Sequence, residues 1–128
     1  MKVSEKEIAA IRKLPGEKRY IYSVKRIVDA EEAWGLYNEG WALGALDDEK
    51  QIFPIWSAME FAEECADGEW AEYLPSSIPL NDLLDQLLPG LDSQGISLAV
   101  AYLPGDRGVV VTPNRLSVDL ENESSKYE

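Results

Sequence analysis

The chain has 128 residues, with 24 Asp+Glu against 12 Lys+Arg and a formal net charge of −12. Apolar residues make up 45% of it, enough for a packed core and too many for a disordered chain. A field of that sign repels nucleic acid and anionic membranes, and no apolar run approaches the roughly 20 residues of a membrane helix, so neither is an expected partner.

Residues 1–13 lack the apolar segment of a secretory signal. Cys65 is the only cysteine, so an intramolecular disulfide is ruled out. A reducing, cytoplasmic setting is the expectation. Basic residues gather near the start, where they alternate with glutamates as on a solvated helix face.

Ser4 followed by Glu7 is a capping-box pattern, and Ile8 and Ile11 share a face. A short helix over residues 4–13 is expected, closed by Pro15-Gly16. In residues 17–30, Tyr20, Ile21, Val24, Ile27 and Val28 recur at helical spacing despite their β-branched content. Helix is favoured there because Lys18, Arg19, Lys25 and Arg26 then share the opposite side. Residues 33–37, 41–46 and 51–56 are strand-like and separated by Asn38-Glu39-Gly40 and by Asp47-Asp48-Glu49-Lys50. They predict a three-strand meander. Pro54 cannot donate to a ladder, so its strand is an edge or is bulged at that point.

Ser57 and Glu60 form a second capping box before a helix reaching about Asp67, with Gly68 as its stop. Residues 69–79 look irregular or extended. Leu80, Leu83, Leu84, Leu87, Leu88 and Leu91 give the strongest helical pattern, which Pro89-Gly90 should end. Residues 96–103 and 109–111 form a C-terminal hairpin. Pro113 opens a last helix, and residues 121–128 should fray. The class is α+β. One domain is expected over residues 1–128, with an antiparallel sheet, four to five helices and a helical extension over residues 1–16.

There is no histidine, so triads and dyads built on imidazole are excluded within one subunit. Zinc ligands and phosphate-cradling glycine loops are missing too, and no cofactor is expected. Cys65 should be buried beside Ala62 and Ala66 and inert. Glu60, Glu63, Glu64 and Asp67 share part of a helix face and suit a solvated surface better than a cation site. Asp106 and Arg107 sit between Gly105 and Gly108 in the hairpin loop. A ligand approach and a plain tight turn are both consistent with those glycines.

Most tryptophans should pack in the core, with Trp70 the most exposed of the four. Tryptophan and tyrosine are also favoured at binding hot spots. The candidate contact surface combines Trp56, Trp70 and Tyr73 with Glu63, Glu64 and Glu69, and Asp106 and Arg107 form a second candidate binding pair.

Several short motifs occur in order. They are Trp34-Gly35-Leu36, Gly40-Trp41-Ala42-Leu43, Phe53-Pro54-Ile55-Trp56, Glu60-Phe61-Ala62, Gly68-Glu69-Trp70, Ile78-Pro79-Leu80, Leu88-Pro89-Gly90-Leu91 and Pro104-Gly105-Asp106-Arg107-Gly108. Over residues 19–120 the chain resembles the bacterial domain-of-unknown-function family numbered 2750. The resemblance implies a small bacterial α+β protein and carries over no catalytic residue.

The leading expectation is a non-enzymatic protein-binding or adaptor domain with a basic protein as partner. The alternatives are a carboxylate-dependent, Mg-type small-molecule enzyme, with Asp106, Arg107 and the 60–67 helix lining one pocket, and a structural homodimer.

Overall fold

Ser4 starts the first helix, its hydroxyl accepting a hydrogen bond from the Glu7 amide at 3.1 Å. The computed structural model describes residues 3–104, 106 and 108–127. Helix α1 (Glu5–Arg12) leads through Pro15 into α2 (Gly16–Ala30), which Glu31 ends in a left-handed conformation. Tyr20, Val24, Ile27 and Val28 are buried along one stripe of α2. The helical period therefore prevails over β-branched content, because the stripe has a sheet to cover.

The strands make two sheets. One is the antiparallel pair β1 (Glu32–Tyr37) and β4 (Leu74–Pro79). The other runs in the order β2 (Gly44–Ala45), β3 (Gln51–Ile55), β5 (Ser97–Val100), β6 (Val109–Val111). In it β3 and β5 are parallel and the other neighbours antiparallel. The class is α+β and the C-terminal hairpin is present. The pairing inside that class differs from a simple meander, since residues 69–79 supply β4 and β4 takes the long ladder with β1. Meander contacts persist as β2–β3 and as a single bridge between Tyr37 and Trp41, whereas a bridge between Trp34 and Trp56 joins β1 directly to the end of β3.

The prolines fall where the ladders can spare a donor. Ala101 N–H donates to Ile55 O, so odd-numbered positions of β3 face β5 and even-numbered ones face the other way. On that other side Ile52 pairs with Gly44 and Trp56 with Trp34. Pro54 lies between them, past the end of β2. Leu80 N–H donates to Glu31 O, which by the same alternation turns positions 75, 77 and 79 of β4 away from β1. Pro75 and Pro79 thus remove two of the three outward donors and blunt that free edge against further strands.

Helix α3 (Met59–Glu64) follows β3. Its N-cap is Ala58 without a side-chain cap bond, so the Ser57–Glu60 capping box does not form. Ser57 is buried instead, at the wall of a cleft. A 3₁₀ turn spans Gly68–Trp70.

Helix α4 (Leu80–Asp82), a π turn (Leu83–Leu87) and α5 (Leu88–Gln94) form one continuous rod. The stop expected at Pro89-Gly90 does not occur, and Gly95 ends the rod in a left-handed conformation. A proline ring clashes with the carbonyl four residues back in α geometry. The π turn, closed by Leu88 N–H donating to Leu83 O, widens the helix just ahead of Pro89 and relieves that clash.

Ala101 is left-handed (φ 61°) and ends β5 before the position expected from residues 96–103. Helix α6 (Pro113–Ser125) is capped by Thr112, whose hydroxyl accepts from Arg115 N–H at 3.1 Å. It runs past residue 121, where fraying was expected, because Leu116 and Leu120 anchor it to the core.

The core has two centres. In one, α2, α5 and α6 cover β3, β5 and β6 around Ile27, Ile55, Leu98 and Leu116. In the other, Leu36, Trp56, Phe61, Ala62 and Trp70 pack together beneath Ile8 and Ile11 of α1. Glycine is required at Gly35, where an added Cβ would stand 2.9 Å from the Trp41 ring. It is required more strictly at Gly108, where φ is +71° and the Cβ would stand 2.2 Å from Val100 O.

Candidate functional site

Tryptophan is too large to leave in water, and most of these side chains go inside. Trp56 is 1% exposed and its indole N–H donates to Tyr102 O at 2.7 Å. Trp70 is also buried, its ring centroid 5.2 Å from that of Tyr102. The exposure expected of Trp70 is therefore corrected. The 3₁₀ turn swings its ring under the chain, although Glu69 and Glu72 on either side are exposed. Trp56 cannot serve as a surface contact either, and Tyr73 packs half-buried on the same cluster. Cys65 is buried beneath α3, its thiol donating to Tyr102 O at 3.5 Å. Burial pushes that thiol up to about 11, so the nucleophilic thiolate is scarce at neutral pH.

The carboxylates of the candidate surface do come together. A shallow cleft of about 230 Å³ is lined by Glu64, Asp67, Glu69, the edge of Trp70, Tyr102 and Pro104 among others. Glu63 is exposed beside it on α3. Arg12 of α1 forms an ion pair with Glu64.

A larger cleft, about 420 Å³, lies at the other end of α3, among α2, β1 and the residues preceding α3. Asp29, Glu32 and Glu60 line it, with half-buried Trp34 as a wall and buried Ser57. Arg26 is the one basic residue lining it, and its guanidinium donates to Glu7 Oε2 at 3.0 Å. Tyr22 O–H donates to the same oxygen at 2.5 Å. Glu60 and Glu64 are four residues apart, ~6 Å along the helix axis. The two clefts therefore share α3, and both are acidic. The larger one escaped the sequence reading because its residues come from positions 26–34 and 57–60, which only the fold brings together.

Asp106 is structural. Its Oδ2 accepts from Arg19 Nη2 at 2.9 Å and its Oδ1 from Gly108 N–H at 2.8 Å. Arg19 also donates to Leu14 O at 2.7 Å, and its side chain is 6% exposed. Arg19 thus leaves the solvated basic face expected for it and fastens the hairpin loop to the start of α2. Asp106 is not among the residues lining either acidic cleft, so it does not join the α3 carboxylates in one pocket. Arg107 lies outside the described residues. Among the described residues, no group of three or more Cys, Asp or Glu is placed to hold a metal ion. No helix among them is long and apolar enough to cross a membrane.

Residues 20–120 match the family described as Protein of unknown function (DUF2750). The chain belongs to this family. The matched span runs from Tyr20 of α2 to Leu120 of α6 and takes in both clefts. The segments that carried the resemblance have packing reasons here. Trp41 lies on Gly35 with its ring 5.7 Å from that of Phe53, Trp56 is a core centre, and Asp106 and Gly108 close the loop. No curated protein and no solved structure matches the chain.

Proposed function

We propose that the protein is a non-enzymatic binding domain that docks a basic protein on the face built around α3. The observation that carries this reading is the pair of acidic clefts at the two ends of one short helix. Asp29, Glu32 and Glu60 line one, and Glu64, Asp67 and Glu69 the other. Fields of one sign, focused by concave walls, raise the encounter rate with an opposite charge and reject like-charged competitors. Half-buried Trp34 and Tyr73 add aromatic area of the kind that anchors an interface. Nucleophilic chemistry at a thiol or an imidazole has no comparable support, since the only thiol is buried and histidine is absent.

Affinity capture with paired baits tests this. The wild-type chain should retain a basic protein that Asp29→Lys/Glu32→Lys/Glu60→Lys releases. Charge reversal of exposed Glu121 and Asp92, away from α3, should leave capture intact. Equal retention by the wild-type and triple-reversed baits contradicts the reading.

A further inference from the structure

We infer that the larger cleft is a receptor for a single arginine side chain of the partner, with the guanidinium stacked on Trp34 among Asp29, Glu32 and Glu60. This rests on the docking reading above and names the chemistry that the face selects.

Four observations meet here. The cleft, about 420 Å³, holds three carboxylates, none of which makes an ion pair or hydrogen bond among the described residues. Its one native cation, Arg26, is engaged by Glu7, which leaves the three carboxylates uncompensated. The Ser57 hydroxyl belongs to a residue only 4% exposed, lines the same cleft and has no hydrogen-bond partner among the described residues. A hydroxyl that no other side chain or backbone group engages is free to accept one N–H of an entering guanidinium. Finally, Trp34 is half-buried, so its ring gives a fixed wall for stacking.

A guanidinium fits this set better than an ammonium. It is planar, so it stacks on an indole, and it presents five N–H donors in a fixed fork. Three carboxylates and a hydroxyl at separate points of the wall can each take one or more of those donors. An ammonium has three donors, no plane, and a tighter water shell to lose. The first turn of α3 contributes uncapped amides that oppose a cation, and Glu60 in that same turn offsets them.

The test is an NMR titration with Nα-acetyl-argininamide, Nα-acetyl-lysinamide and Nα-acetyl-alaninamide, reading the indole N–H signals. Trp56 and Trp70 give internal controls, because both are buried. The Trp34 signal should shift saturably with the arginine compound. It should shift about 3-fold more weakly in affinity with the lysine compound and not at all with the alanine compound. Glu32→Gln/Glu60→Gln should weaken arginine binding about 10-fold. Ser57→Ala should weaken it while leaving the spectrum folded. Absence of a Trp34 shift, equal response to arginine and lysine, or an unchanged affinity in the Glu32→Gln/Glu60→Gln variant overturns the inference. Those outcomes leave the docking reading standing if the charge-reversed bait still loses its partner. If that bait keeps its partner, the docking reading fails on its own.

Discussion

Trp34 and Trp56 are hydrogen-bonded to each other through their backbones in both directions, at 2.8 and 2.9 Å. This one bridge joins the two-stranded sheet to the end of β3. It also sorts two identical side chains into different jobs. Trp56 points into the core and donates to Tyr102 O, whereas Trp34 stands half-exposed in the larger acidic cleft.

The Trp56 indole bond should be worth measuring directly. Trp56→Phe removes the donor to Tyr102 O and leaves a void in a closely packed cluster. The expected loss is about 2–4 kcal/mol, read from urea unfolding. Trp34→Phe should cost far less, since that ring borders a cleft.

Gly108→Ala should be severely destabilising. The new Cβ meets Val100 O, a backbone atom that cannot step aside, in a left-handed conformation. Gly68→Ala is the control, because Gly68 is also left-handed and has open space around it. The control isolates the conformational cost, ~1–2 kcal/mol. Gly108→Ala should exceed it by about 1–3 kcal/mol of overpacking, and thermal unfolding of the two variants checks the difference.

Asp106→Asn should separate two roles of one side chain. The amide oxygen can still accept from Gly108 N–H, but the Arg19 guanidinium loses its counter-charge. A cost of about 1–2 kcal/mol is expected, kept low because Asp106 is half-exposed. Asp106→Ala should cost more, since both bonds go. Equal stabilities for the two variants would show that the turn bond contributes nothing.

Alkaline pH should unfold the protein in two parts. Burial pushes the Cys65 thiol up to about 11, and burial with the Glu7 hydrogen bond pushes Tyr22 up to about 12. Burial and the Asp119 hydrogen bond also raise Tyr20. Thiol and phenol are neutral when protonated, and folding favours that form. Their contribution is complete below their ordinary values of roughly 8.5–10 and is lost as pH rises through the folded ones. The urea midpoint should fall across that range. Cys65→Ala should remove the earlier part of the fall and Tyr22→Phe part of the later.

The helices were legible because their signals are local. The Ser4 cap, the apolar stripe of α2 and the leucine pattern from Leu80 all involve neighbours within one or two turns. The partner of β1 was not legible. It is a segment with two prolines and two serines, placed by a ladder to residues some forty positions earlier. The same is true of the burial of Trp70, which depends on Tyr102, and of Ser57, whose capping pattern loses to a buried position at the wall of the cleft. For the site, the acidic character of α3 was readable. The larger cleft was not, because Asp29, Glu32 and Glu60 meet only after β1 is laid beside the end of β3.

Hydrogen exchange on the complex with the captured basic protein gives the most direct test of the central claim. Protection is predicted at residues 29–34 and 57–70, the two walls that share α3, with α6 unchanged. Protection confined to α6, or to exposed Tyr37 and Leu74 at the far end of the β1–β4 ladder, would contradict it.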